Sequence, residues 1–372
     1  MAVVVTGIGW VSALGEGLIQ PWQRLLRAET AIALRQPFSE LPPRPLAMVG
    51  DRPQDLTNLL LRATQAALAD AKLAAPLPAA GVVIGSSRGH QARWEGFMRG
   101  APLQDWWGSL PTGPAIAVAR HLQSQGPLQV PMAACATGLW AIAQGYELIR
   151  QGQCDRVVVG AGEAAITPLT LTGFEQMRAM ATTGCYPFDR QRQGLALGEG
   201  AVVLVLERET LAQGRSVPSY GAILGTGFSA DAHHISAPDR DHGAGLAAIH
   251  QCLTQASLNP RDVDFIHAHG TGTQLNDAYE TALIQSCFDH PVAVGGTKGA
   301  TGHTLGASGA FGVAVCLLAL HHQTLPPCVG LTEPAFDLNF VRQPQVQPSR
   351  AALCFSFGFG GQNAVVAVGA TP

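Results

Sequence analysis

The sequence predicts an α/β protein with parallel character, built as two comparable halves. Three observations lead there. Short apolar runs closed by glycine alternate with stretches whose apolar residues recur every three or four positions. Their spacing is that of strand–helix–strand units, which imply parallel pairing. The apolar pattern lapses once, in the polar turn Gln213-Gly214-Arg215, and then begins again. The chain therefore divides into residues 1–213 and 214–372.

In the first half, Val3 to Ile8 reads as a strand. It runs into Gly7-Ile8-Gly9-Trp10-Val11-Ser12, a partial match to the glycine fingerprint of dinucleotide-binding proteins. Ser12 replaces the third glycine, and no acid closes a second strand about twenty residues on, so nucleotide binding is not expected. The proline-rich stretch 37–53 reads as a surface connection, and Leu56 to Leu73 as a helix. Gly81 to Gly85 is a short buried strand. Trp94, Phe97, Trp106 and Trp107 are candidates for a pocket wall, a subunit contact or core packing. Leu128 to Met132 reads as a buried strand, and the helix after it carries Leu139, Ile142, Ala143, Tyr146 and Ile149 on one face. Arg156 to Gly162 and Gly200 to Glu207 are further strands.

The second half repeats this grammar. Tyr220 to Thr226, Val263 to Ala268, Val292 to Gly295 and Ala364 to Val368 read as strands. Gly243 to Gln255, Asp277 to Phe288 and Ser308 to His321 read as helices.

Composition narrows the function. The chain has 372 residues, 47% of them hydrophobic and 13% charged, which is ample for a large core. A net charge of −3 leaves no broad cationic footprint for nucleic acid. The eight cysteines are scattered without a C-x-x-C pair, against a zinc site or disulfide framework and in keeping with a reducing cytosol. Met1 to Gly7 reads as strand rather than a basic leader, and the longest apolar stretch, Ala310 to Leu320, is too short to span a membrane. A cytoplasmic protein acting on neither nucleic acid nor membrane, with no metal, is expected.

Three strand-to-loop junctions carry chemistry. Cys135 lies where the strand ending at Met132 hands over to a helix. Unpaired N–H groups and the helix dipole favour a thiolate there, which makes Cys135 a candidate nucleophile; an inert packed thiol is the alternative. His269, in Ala268-His269-Gly270-Thr271-Gly272-Thr273, follows the strand ending at Ala268. His303, in Lys298-Gly299-Ala300-Thr301-Gly302-His303, follows the strand ending at Gly295. α/β proteins bind ligands beyond the carboxyl ends of their strands.

These motifs, with Asn276-Asp277, Glu280 and Ser356-Phe357-Gly358-Phe359-Gly360-Gly361, resemble β-ketoacyl-acyl carrier protein synthases of the elongating Cys-His-His class. The resemblance runs from Val3 to Asn363 in the family's order. It implies a thiolase-like fold: two similar α/β halves whose mixed sheets pack in an α-β-α-β-α arrangement. It further implies that Cys135 takes an acyl chain from a carrier protein's phosphopantetheine arm. His269 and His303 would then stabilise the enolate left by decarboxylation of a malonyl group. By the same resemblance Lys298 supports His303, and the N–H groups of Cys135 and Phe359 form the oxyanion hole. Phe359 also gates the acyl pocket, and Thr271 and Thr273 hold the pantetheine arm. No cofactor beyond that arm is implied. The partners implied are acyl carrier protein and a second subunit, in a homodimer or a heterodimer with a related chain. Asp277 and Glu280 read as a helix-start pair. Arg62, Arg99, Arg190 and Arg192 are candidates for carrier docking.

Departures from the family pattern are equally specific. Gly312 stands where the family usually has Glu, Gln193 where it has Asp, and Ala133 where it has Thr. Loops before Leu56, around 95–115 and near Thr183-Gly184-Cys185 are trimmed. A buried Lys298 without those acids needs another partner. A thiolase using coenzyme A is disfavoured, since the late glycine loop has no cysteine. The alternative of a different class is a catalytically impaired, chain-length-factor-like partner subunit.

Overall fold

Ten strands form the main sheet of the computed structural model, which describes residues 2–104 and 106–370. In chain order they are β1 (Val3–Ser12), β2 (Gly81–Gly85), β3 (Leu128–Gln129), β4 (Arg156–Glu163), β5 (Gly200–Arg208), β6 (Gly221–Ala230), β7 (Phe265–His267), β8 (Ala293–Gly295), β9 (Ala351–Gly358) and β10 (Gln362–Gly369). Their spatial order is β3-β2-β4-β5-β1-β6-β10-β9-β7-β8, with the short strand Gly15–Glu16 beside β1. The first five strands and the last five are arranged identically, each set joined to the other through its first strand. In both sets four strands run one way, and the last in chain order, β5 or β10, runs antiparallel to both of its neighbours. The sheet is therefore mixed. Antiparallel β5 and β10 carry the return that sequence spacing alone suggested would be parallel.

Six main helices complete the repeat: α1 (Leu56–Asp70), α2 (Gly113–Leu122), α3 (Thr137–Arg150), α4 (Gly243–Ala256), α5 (Gln274–Cys287) and α6 (Ser308–His322). Burial separates them into layers. Strand residues alternate between two cores, as a two-residue period demands: Val157, Val159, Val202 and Leu204 share a core with α3 and α6, whereas Val158, Val203 and Val205 pack on α1 and α2. On the other side, Leu353, Phe355, Val365 and Ala367 pack against α4 and α5. The result is α-β-α-β-α. Helix α6 is buried from Ser308 to Leu320, which explains why its sequence is apolar all round. With the turn before it, the stretch Leu305–His322 has a membrane span's length and composition, yet 89% of it is buried inside the protein. It is longer than the apolar run expected, because a 3-10 turn at Leu305–Ala307 leads straight into α6.

Several local expectations need correcting. Leu128 to Met132 is not a buried strand. Only Leu128–Gln129 is extended, at the sheet edge, and Met132 is 56% exposed. Gly7 to Ser12 lies wholly inside β1, so no strand–helix turn exists for a nucleotide phosphate. A Cβ at Gly9 would lie 1.8 Å from the Ala63 carbonyl oxygen, so that glycine serves to let β1 touch α1. Trp94, Trp106 and Trp107 are exposed rather than core. Strand β9 had no counterpart among the sequence-based assignments. Met1, Asp105, Thr371 and Pro372 lie outside the described residues.

Candidate active site

Cys135 sits two residues before α3, in the turn that leads into the helix rather than in its first turn. The turn is tight. Ala134 adopts a left-handed φ of 47°, Ala133 N–H donates to Thr137 Oγ1 (2.9 Å), and Thr137 Oγ1 donates to the Ala134 carbonyl (2.6 Å). Ser356 Oγ, on β9, donates to the Cys135 carbonyl at 2.9 Å. A Cβ at Gly358 would fall 2.8 Å from the Ala133 oxygen and 3.1 Å from Cys135 N, so only glycine lets β9 approach this turn. The Phe359 N–H then reaches the thiol. Cys135 is 7% exposed, and the expectation of a thiolate is corrected accordingly. Burial pushes the thiol up to about 11; Lys298, Arg88 and the Phe359 N–H pull against that shift, while Glu163 adds to it.

His269 and His303 are both buried, with rings 5.4 Å apart and nearly perpendicular. One ring nitrogen of each and Cys135 Sγ lie within 4.8 Å of one another. Burial, then Lys298, holds both imidazoles well below the usual histidine range, with His303 and His267 adding to the effect on His269. Hydrogen bonds fix their tautomers. His303 Nδ1 accepts from Leu305 N–H (3.2 Å) and pairs with Ser308 Oγ (2.9 Å). His269 Nδ1 pairs with Lys298 Nζ at 3.2 Å. Each neutral ring therefore carries its proton on Nε2. A metal would need that nitrogen's lone pair and would drive the proton onto Nδ1, against a donor. The arrangement suits two N–H donors better than two ligands.

Lys298 is 3% exposed and also donates to the His269 carbonyl. Burial lowers its pKa, and the Glu280 carboxylate opposes that most. So Lys298 joins His269 directly, rather than His303 as the resemblance implied. Glu280 and Asp277 are fully buried and do not act as a helix-start pair. Thr273 is the N-cap of α5, accepting from Asn276 N at 3.3 Å. Glu280 instead accepts from the N–H groups of His269 (2.5 Å) and Gly270 (2.8 Å). Asp277 accepts from Thr271, Gly272 and Phe188. Together they clamp the loop that carries His269. Burial pushes Asp277 up to about 6 and Glu280 up to about 7.

A cavity of about 250 Å³ opens onto this constellation. Cys135, His269, His303, Thr271, Thr273 and Phe359 all line it. The two threonine hydroxyls are 2.9 Å apart. Phe359, 37% exposed, faces Phe174 with ring centres 6.1 Å apart. Of the candidate catalytic and substrate-binding residues, Lys298 alone stands behind the wall.

The departures find physical explanations. Gln193 is exposed at the cavity, bonded to Thr182 (2.7 Å), so it is no part of a buried network. Gly312 has no room for a side chain: a Cβ there would lie 2.4 Å from Cys354 Sγ and 2.7 Å from His267 Nδ1. His267 in turn pairs with Thr297 Oγ1 at 3.2 Å, next to Lys298. Gly309 lets α6 pack closely on α3, since a Cβ there would lie 2.7 Å from Leu139 Cγ. Among the arginines, Arg192 is buried over Phe336, and Arg62 is paired to Glu16. Arg99 and Arg190 are exposed, but none of the four lines the cavity. Exposed Arg178 does line it, and no sequence pattern marked that residue.

A buried thiol facing two neutral imidazoles, on a duplicated five-layer α/β scaffold, defines the thiolase-like class of proteins. Its structural likenesses agree. A solved structure described as the ishigamide ketosynthase/chain length factor superposes with a TM-score of 0.92 at 27% identity, covering 100% of this chain and 99% of that one. A type II polyketide acyl-carrier protein in complex with its ketosynthase bound to the hexaketide gives 0.93 at 25%, covering 100% and 99%. The chain belongs to the β-ketoacyl synthase family: models of the family's N-terminal and C-terminal domains match residues 51–212 and 220–332. The 3-oxoacyl-[acyl-carrier-protein] synthase 2 of Coxiella burnetii is 32% identical over 97% of this chain and 96% of its own. The mitochondrial 3-oxoacyl-[acyl-carrier-protein] synthase of Arabidopsis thaliana is 37% identical over 64% of this chain, a match that spans 56% of that protein's length.

Proposed function

We propose that this protein catalyses a decarboxylative Claisen condensation in fatty acid or polyketide synthesis. The Cys135 sulfur attacks an acyl thioester on the phosphopantetheine arm of a carrier protein. A new S–C bond forms, the pantetheine S–C bond breaks, and the pantetheine sulfur leaves with the proton. A malonyl thioester then enters past Thr271 and Thr273. Its C–C bond breaks, carbon dioxide departs, and the electron pair passes to the enolate oxygen, held by the Nε2–H groups of His269 and His303. The enolate carbon attacks the acyl-Cys135 carbonyl. The N–H groups of Cys135 and Phe359 hold the resulting oxyanion, which collapses to release the β-ketoacyl product and a Cys135 thiolate that is reprotonated.

The observation that carries this reading is the tautomer of both histidines, which aims two N–H donors at the space beside Cys135. It also favours a synthase over an impaired chain-length-factor-like subunit. Exposed Arg178 at the rim offers a cation to an acidic carrier protein. The exposed edge at Leu128 and Met132 suits pairing with a second or related subunit, and eight free cysteines accord with a cytoplasmic setting. The test is mass spectrometry of the protein incubated with acyl-carrier protein, with carbon dioxide release measured from malonyl-carrier protein. An acyl adduct on Cys135, absent in Cys135→Ala, is expected. An unmodified Cys135, with no carbon dioxide released, refutes the proposal.

A further inference from the structure

Glu163 ends strand β4 and is wholly buried, yet no step of the chemistry above touches it. Its carboxylate accepts five hydrogen bonds. Oε1 takes Ser86 Oγ (2.8 Å) and Arg88 N–H (3.2 Å); Oε2 takes Ser87 Oγ (2.5 Å), Ser87 N–H (3.0 Å) and Gly306 N–H (3.0 Å). Four of the five come from the loop after β2, in the same half of the chain. The fifth crosses 143 residues to the 3-10 turn Leu305–Ala307. That turn is the one that sets His303. Leu305 holds a left-handed φ of 41°, an uncommon conformation for a leucine, and in it the Leu305 N–H points at His303 Nδ1. Gly306 must be glycine for this contact: a Cβ there would lie 2.7 Å from Ser87 N and 2.8 Å from Glu163 Oε2.

We infer that Glu163 is a positioning residue for His303: by anchoring the Gly306 N–H it holds the strained Leu305 turn, and that turn keeps the His303 proton on Nε2. The nucleophile-bearing half of the molecule thereby fixes the protonation geometry of a donor in the other half. The chemical logic is one of donors and acceptors. A carboxylate presents two acceptor oxygens to five donors, and an amide presents only one. In Glu163→Gln one side must turn an NH₂ group toward N–H groups, whichever way the amide lies. An NH₂ group on the Oε2 side takes the acceptor from the Gly306 N–H outright, and one on the Oε1 side meets the Arg88 N–H and shifts the group from its seat. With the anchor lost or displaced, the turn relaxes toward ordinary backbone, Nδ1 loses its N–H donor, and both tautomers become populated.

The role in catalysis rests on the function proposed above; the tautomer claim does not. Two measurements keep them separate. The first is the ¹⁵N spectrum of histidine-labelled protein, with His303 assigned by its disappearance in His303→Gln. A pure Nε2–H signature is expected for the unmodified protein and a mixed one for Glu163→Gln. If Glu163→Gln does not fold, Gly306→Ala drives a Cβ against Ser87 N and Glu163 Oε2 and displaces the turn, and the same mixed signature is expected. The second measurement is the ratio of carbon dioxide release to acyl transfer, expected to fall at least 10-fold in Glu163→Gln. A proton on Nδ1 in the unmodified protein overturns the inference outright, and so does a folded Glu163→Gln with an unchanged spectrum. An equal fall of both activities also overturns it, since Glu163 would then serve Cys135 instead. If the unmodified protein neither takes an acyl group nor releases carbon dioxide, the proposed function fails while the spectrum still decides the positioning.

Discussion

Replacing Gly312 by alanine tests how this chain fills a position where the family resemblance implies an acid. The added methyl would lie 2.4 Å from Cys354 Sγ and 2.7 Å from His267 Nδ1, against an optimal carbon contact of roughly 3.5–4.0 Å. About 1 Å must be recovered on two sides at once, and both neighbours are buried with little room to retreat. Overpacking of this kind costs about 1–3 kcal/mol. The better helix propensity of alanine returns up to ~1 kcal/mol. A net loss of about 1–2 kcal/mol is expected, which in a chain of this size lowers Tm by about 1–3 °C. The controls are Cys354→Ala and the double variant. Removing Sγ clears the closer of the two contacts, so the double variant should regain at least 1 kcal/mol relative to the sum of the singles. Scanning calorimetry at a fixed scan rate reads all four proteins. A Gly312→Ala protein that melts at or above the unmodified one, or a coupling below about 0.5 kcal/mol, refutes the packing argument.

Other consequences follow from the same geometry. With its thiol pushed up to about 11, Cys135 should react with iodoacetamide about tenfold faster per pH unit from 7 to 10. A plateau below pH 8.5 contradicts burial as the dominant influence. Lys298→Met removes a positive charge that holds both imidazoles low, so their pKa values should rise. Neutral imidazole would then be lost at higher pH, moving the acid limb of carbon dioxide release upward; an unmoved limb counts against that role for Lys298. Gly358→Ala drives a Cβ toward the Ala133 oxygen and displaces the Phe359 N–H. Acyl transfer to Cys135 should fall on the order of 100-fold, the usual loss for one oxyanion donor. Full retention places the hole elsewhere.

What the sequence by itself determined is local. Cys135, His269 and His303 follow strand ends by six, two and eight residues, and their glycine-rich junctions are short motifs that declare themselves. The alternation of apolar runs likewise announces strands and helices, because a two- or three-to-four-residue period needs no distant partner. What only the tertiary structure decided depends on groups far apart in the chain. The reactivity of Cys135 reads as dipole-driven from its turn, but burial raises its pKa instead, against the pull of Lys298 and the Phe359 N–H. Asp277 and Glu280 looked like helix-start residues because their spacing fits one. Their carboxylates clamp the His269 loop because the chain folds that loop back over the helix start. Leu128 to Met132 looked buried because composition cannot tell an edge strand from a central one. Gly312 reads in the sequence as no more than a missing acid; His267 and Cys354 occupy the space a side chain there would need. Glu163 ended an apolar strand without further signal, since its decisive partner, Gly306, lies 143 residues away. Hydrogen-bond direction and desolvation arise only when such groups meet, and the fold alone brings them together.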